Sequence, residues 1–428
     1  MNKYSLIILV LILSCSFNPN SKFWSETKKL EIDKFTTKTL FKNENPNKFE
    51  FNEKLRISLP NVDNVNINMK TNNDGYVNFT ISKEYSSKFK FGKIEKFSSY
   101  EPEILINKKN LYFFDNKGSL IKFDNNSNVV WKKNYYSKSD KKSQPILFMA
   151  SEENNIFVAD TVANYYVIDS MSGDLRWKKK HSSSFNSQIK VKNGKAFVVD
   201  LQNNLRCFSI NDGKVLWTVP TNLTVVSSQK KQSIILVDKI VYFTNSIGDV
   251  TAIDSASGDI IWQTPTQTLG FAKNITLRTS DLVSDGKNVY LSNNKNEFFA
   301  IDSKTGIIIW KQKINSELRP VIILNYLITI SNEGLLVIIE KNKGNIIRVN
   351  DILKDIKTKK RREYSPVGFI IGASKIYMTT KNGRLFIINF EDAKIDKILK
   401  LDREKMQRPS FFNGELYIAK DNSIIRFN

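Results

Sequence analysis

The chain has 428 residues, 41% hydrophobic and 25% charged, which excludes a chain disordered throughout and allows a large core or two to three average domains. Lys and Arg number 65 against 43 Asp and Glu, a formal net charge of +22 that favours anionic surroundings such as phosphate-bearing lipid, acidic protein patches or nucleic acid. The excess is spread along a chain rich throughout in Lys, Asn and Ile, while a single histidine excludes a His-rich metal site.

The first residues, "MNKYSLIILVLILSCS", combine a basic start at Lys3 with an apolar run from Leu6 to Leu13, then Ser14 and Cys15. The run is too short to span a bilayer and predicts a cleaved signal peptide over residues 1–14. Ser14-Cys15 resembles a bacterial lipobox, in which the cysteine carries the lipid. Ser16 after it matches the pattern sorted to the outer membrane. The chain has one other cysteine, Cys207, in the strand-like stretch "NLRCFSI", so no intramolecular disulfide is expected and Cys207 is a small core residue. Residues 15–70 are polar and Asn/Lys-rich, with Pro19, Pro46 and Pro60. They predict a lipidated tether with one short strand over 53–59.

From about residue 71 a repeat takes over. In its clearest copy "KIVYFTN" (239–245) is a strand, "SIGD" a turn, "VTAID" a strand, "SASGD" a turn and "IIWQT" a strand. Gly248 and Gly258 supply the positive φ of tight hairpins. Five copies carry a tryptophan, at Trp131, Trp177, Trp217, Trp262 and Trp310, separated by 46, 40, 45 and 48 residues. A period near 45 residues of antiparallel strands predicts an all-β propeller of four-stranded blades. Two further copies are degenerate, with Arg348 in one tryptophan position and Lys397 or Ile398 in the other. The last copy ends after two strands, which predicts closure by a strand from near the N-terminus, expected within 90–100. The 358 residues from 71 to 428 divide into about eight blades, with seven the alternative if the ends are loops. Each blade needs neighbours to cover its two faces. An indole laid across the hairpin of an adjoining blade buries roughly 150–250 Å². The tryptophans are therefore read as a structural ladder.

The stretches "AIDSASGDIIW", "VIDSMSGDLRW", "FSINDGKVLW" and "AIDSKTGIIIW" resemble the pyrroloquinoline-quinone-like β-propeller repeat. Within that superfamily the lipobox, the tether, the blade count and the long linker 269–286 resemble the BamB family. The resemblance implies a non-enzymatic scaffold of the outer-membrane β-barrel assembly machinery, without cofactor. It would bind the periplasmic domains of the barrel-forming subunit as a monomer within a hetero-complex. It would be held on the periplasmic face of the outer membrane through lipid on Cys15, and away from nucleic acid.

The alternatives are a quinone-dependent dehydrogenase of the same fold and a propeller that binds envelope glycans. The dehydrogenase branch resembles proteins with an adjacent Cys-Cys disulfide and a catalytic Asp. This chain has no Cys-Cys pair, and Asp169, Asp254 and Asp302 fall at hairpin turns. No phosphate loop or calcium loop appears. His181, in "KKKHSSSFNS", is expected in an exposed loop. Binding is expected at loops. In 264–286 the candidates for partner contact are Leu277, Arg278 and Asp281, because BamB is similar in using leucine, arginine and aspartate for its partner. A basic run at 353–366, with Lys357, Lys359, Lys360, Arg361 and Arg362, suits lipid phosphate or an acidic partner.

Overall fold

The computed structural model describes residues 50–59, 71–74, 76–77, 87–221, 230–266, 277–412 and 414–428. Cys15 and the expected signal peptide lie outside these residues.

Among the described residues the strands form eight sheets, and seven are four-stranded. The eighth adds a fifth strand. Each sheet is a blade. The recurring three strands of the repeat are preceded by a short inner one: in blade 4, Ile234–Val237, Ile240–Thr244, Val250–Asp254 and Ile260–Thr264 pair in that order from the channel outward. The protein is an eight-bladed β-propeller, which removes the seven-blade alternative. Blades 1 to 8 begin at Leu105, Leu147, Lys190, Ile234, Val283, Val321, Pro366 and Ser410. Because strands alternate in direction, inter-blade loops lie at one end of the blades and the hairpin carrying each repeat's "D-x-x-x-G" lies at the other.

Blade 8 is closed by Ser87–Lys90, which pairs antiparallel with Ser423–Phe427. The closing strand thus ends where it was expected to begin. Residues Phe97–Tyr100 form a helical turn instead, with Phe97 buried. Phe89 explains the choice, since it is 1% exposed and packs edge-on against Phe123 of blade 1.

The tryptophan ladder is built by contacts between successive blades. Each tryptophan lies on the outermost strand, against the glycine of the next blade's hairpin. Indole Nε1 donates to Met171 O from Trp131 (3.0 Å), to Ile210 O from Trp177 (2.7 Å), to Ser303 O from Trp262 (3.0 Å) and to Lys341 O from Trp310 (2.8 Å). Trp217 packs on Gly258 in the same way, but its Nε1 finds no acceptor. The contact requires glycine. A Cβ on Gly306 would stand 2.7 Å from the Trp262 ring, and φ there is +74°.

Blade 6 solves the same problem differently. Arg348 takes the tryptophan position, pairing with Ile338 as Trp310 pairs with Ala300. Its guanidinium is fully buried and donates to Glu391 O (2.5 Å), Phe390 O (2.6 Å) and Leu55 O (2.9 Å). The hairpin residue it faces is Ala393, at φ +58°, where the tryptophan-capped blades need glycine. In blade 7 the register places Lys397, not Ile398, in the equivalent position.

Residues 50–59 of the stretch expected as a tether run along blades 6 and 7. Phe51 bridges Val349, and Ile57 is buried beside Ile338 and Phe390. The aspartates read as turn formers do that work: Asp254 Oδ1 accepts from Ala256 N (2.8 Å) and Ser257 N (3.0 Å), and Asp302 Oδ1 from Lys304 N (3.0 Å) and Thr305 N (2.8 Å). Cys207 is fully buried, as expected of a small core residue. His181 departs from the expected exposed loop. It is half-buried against Phe185, its Nδ1 accepts from Ser183 N (3.1 Å), and burial, with Arg206 nearby, lowers its pKa.

Candidate functional site

Among the described residues the inner strands of all blades but the seventh have no further strand on their channel-facing edges, and two features fill the space they surround. The first is the chain's own segment 71–77. Leu236 N donates to Thr71 O (2.8 Å) in blade 4, and Ser284 N to Asn72 O (3.3 Å) in blade 5. Ile322 N of blade 6 donates to Asp74 Oδ1 (3.2 Å). Tyr76–Val77 then pairs in parallel with Ile371 and Gly372 of blade 7. Four successive blades are thus bonded to one short segment. Its Asn73 is 1% exposed, donates to Gln188 Oε1 (2.9 Å) and Leu282 O (3.0 Å), and accepts from Lys190 Nζ (2.7 Å).

The second feature is a cavity of about 530 Å³ lined by the other side of the channel, blades 8, 1, 2 and 3, and by inter-blade loops. One wall is apolar, with Ile104, Leu105, Ile106, Met149, Ile189, Phe411 and Phe412. The rest is charged: Lys190, Lys230, Lys231, Arg319 and Arg408 against Glu101, Glu103, Asp281 and Glu317. Arg319 holds the centre, donating from Nε to Asp281 Oδ2 (2.8 Å) and from Nη2 to Glu103 Oε1 (2.8 Å). Lys231 Nζ sits 2.9 Å from the same Glu103 oxygen. Gln188 Nε2 donates to Glu103 Oε1 (2.8 Å), so one side chain joins the charge cluster to Asn73.

Burial opposes charge throughout this cluster. It pushes the Glu103 and Asp281 carboxyls up, but the surrounding cations, Lys231 and Arg319 for Glu103 and Arg319 and Lys231 for Asp281, outweigh it and hold both below their ordinary values. Burial pulls Arg319 down, but Asp281 and Glu103 outweigh it and hold Arg319 above its ordinary value, whereas for Lys190 and Arg408 burial wins. Lys190 is pushed down to about 8, and Arg408 to about 9 with Arg319 adding repulsion. Glu103 keeps a side-chain exposure of 45%, so water screens its pairs and each is worth little by itself.

Of the three residues proposed for partner contact, the structure brings none to the same environment. Leu277 is 5% exposed and covers Gly248. Asp281 belongs to the channel cluster. Arg278 remains half exposed on the inter-blade end, with Nε 3.3 Å from Glu317 Oε2. Leu269 and Phe271, in the same loop, lie outside the described residues. The basic run forms a 3₁₀ helix, Thr358–Tyr364, whose Lys359, Lys360 and Arg362 are exposed while Arg361 pairs with Asp351 at 2.8 Å. Sequence reasoning missed Glu103, Lys231, Arg319 and Arg408. They come from different inter-blade loops, and no local spacing links them. Among the described residues no three His, Cys, Asp or Glu side chains stand together as a metal site requires.

The profile of the family described as outer membrane protein assembly factor BamB matches residues 116–350, more than half of the chain. The chain belongs to the BamB family. Among solved structures it is similar to BamB from Moraxella catarrhalis, with TM-score 0.67 and 15% identity over 80% of this chain and 98% of that one. It is also similar to a europium-containing methanol dehydrogenase, with TM-score 0.62 and 10% identity over 81% of this chain and 88% of that one. A quinohemoprotein alcohol dehydrogenase from Comamonas testosteroni has TM-score 0.56 and 10% identity over 80% and 76% of the two chains. At these identities the likeness to BamB and to the dehydrogenases shows a shared fold alone. No curated protein matches the sequence.

Proposed function

We propose that this BamB-family propeller is a non-enzymatic scaffold of outer-membrane β-barrel assembly, lipid-anchored through Cys15. It binds the periplasmic domains of the barrel-forming subunit. The observation that carries the reading is the family match across blades 1 to 6. The channel chemistry supports it. A catalytic carboxylate needs to be available to a substrate or metal, yet Asp281 and Glu103 are both engaged by Arg319. Arg278 is the docking residue of the three candidates, because it alone is reachable from outside.

The test is binding of residues 16–428 to the periplasmic domains of the barrel-forming subunit from the same organism. The expected result is saturable, micromolar or tighter affinity, weakened by Arg278→Glu. Absence of binding at low salt overturns the scaffold, whereas binding indifferent to Arg278→Glu moves the docking face elsewhere. A visible absorbance band after reconstitution with quinone and calcium would favour the dehydrogenase alternative. Incorporation of labelled palmitate, lost in Cys15→Ala, tests the anchor.

A further inference from the structure

The channel cluster carries more cations than its carboxylates match, and while Lys190 is satisfied by Asn73 Oδ1, one guanidinium is not satisfied. Arg319 and Lys231 are matched by Glu103 and Asp281. Arg408 is not. Its Nε donates to Phe369 O (2.9 Å), it makes no ion pair among the described residues, and its Nη2 is buried without a hydrogen-bond partner. The adjacent Gln407 is 8% exposed, lines the same cavity and also has its donor atom, Nε2, unpartnered. Arg408 is only partly buried, but a guanidinium nitrogen buried without a partner is costly unless an acceptor reaches it. The space to hold one is present, since the 71–77 segment fills the side lined by blades 4 to 7 and leaves about 530 Å³ opposite. That volume is ordinary for a small-molecule site. Its wall, formed by Leu105, Ile106, Met149, Phe411 and Phe412, favours an apolar body. A second negative charge on the ligand would meet Glu103 and Asp281, so the site suits a monoanion.

We propose that this side of the channel binds a small amphiphilic monoanion, a single carboxylate or sulfonate on an apolar body. The anionic head lies on Arg408 and Gln407, and the body lies against the inner strands of blades 8, 1 and 2. The inference is independent of the scaffold function, because it rests on the cavity and not on partner docking.

The probe is 8-anilinonaphthalene-1-sulfonate, titrated into the purified protein and followed by its blue-shifted fluorescence. The expected result is one saturable site, displaced by hexanoate and not by hexylamine. Arg408→Gln should weaken binding at least tenfold, with Arg408→Lys restoring part of it. Met149→Trp, which intrudes on the apolar wall and leaves every charged group in place, should weaken binding severalfold. Should Arg408→Gln fail to fold, Met149→Trp decides alone. Saturable binding left unweakened by Met149→Trp, displacement by hexylamine as readily as by hexanoate, or no saturable binding overturns the proposal.

Discussion

Alanine at Gly306 should be far more damaging than alanine at Gly194, although the two backbones are nearly identical. Both are left-handed, with φ +74° and +71°, so both substitutions carry the left-handed penalty of roughly 1–2 kcal/mol. At Gly194 a Cβ meets nothing within 4 Å. At Gly306 it stands 2.7 Å from Trp262 Cδ2 and 2.8 Å from Cγ and Cε3, so the indole has to tilt away. Tilting off its rotamer costs about 0.5–1.5 kcal/mol. Losing the Nε1 bond to Ser303 O costs about 0.5–1.5 kcal/mol more. Gly306→Ala should therefore lose about 1–3 kcal/mol beyond Gly194→Ala. The assay is urea unfolding followed by circular dichroism, comparing midpoints at equal slope. Equal midpoint shifts for the two variants would refute the claim that glycine is required by the indole and not by the turn. Ala393→Gly supplies the converse, since Ala393 faces Arg348 and not an indole, and should be neutral or slightly stabilising.

Arg348→Ala should cost several kcal/mol, on the order of 2–4, because it strands the buried Phe390 carbonyl and two partly buried ones, and a depressed thermal midpoint would show it. Arg348→Trp should be tolerated only together with Ala393→Gly, a coupling that a double-mutant cycle measures. Acid should loosen the channel: Glu103 and Asp281 have folded pKa values below their ordinary 4.5 and 3.8, so their contribution is present above those values and is lost as pH falls through the folded ones. Amide exchange at Leu282, beside Asp281, compared at pH 6 and pH 2.5 after correction for intrinsic rates, reads this out. Burial pushes the Cys207 thiol up to about 12, so in residues 16–428 it should resist thiol reagents at pH 8 until urea unfolds the chain.

The propeller was legible because its information is local and repeated. The glycine turns, the alternating strands and the tryptophan period each lie within one 45-residue unit, and each unit states them again. Arg348 could be placed at a tryptophan position by counting alone, whereas counting left Lys397 and Ile398 open and the strand register chose Lys397. What Arg348 does there was not legible, since its acceptors come from Leu55, Phe390 and Glu391. The closing strand was expected at one end of the chain, but its register is set by Phe89 fitting beside Phe123, a contact between the first and last blades.

The candidate site lay still further from view. Asp281 looked like a loop residue available to a partner, yet the fold turns it into the channel against Arg319, and only Arg278 stays outside. Local sequence alone determined that the chain makes blades, because a hairpin's turn chemistry and face pattern act over a few residues. Ring closure decided which charges meet. Eight inter-blade loops converge on one axis, so side chains more than two hundred residues apart, such as Glu103 and Arg319, become hydrogen-bonded neighbours.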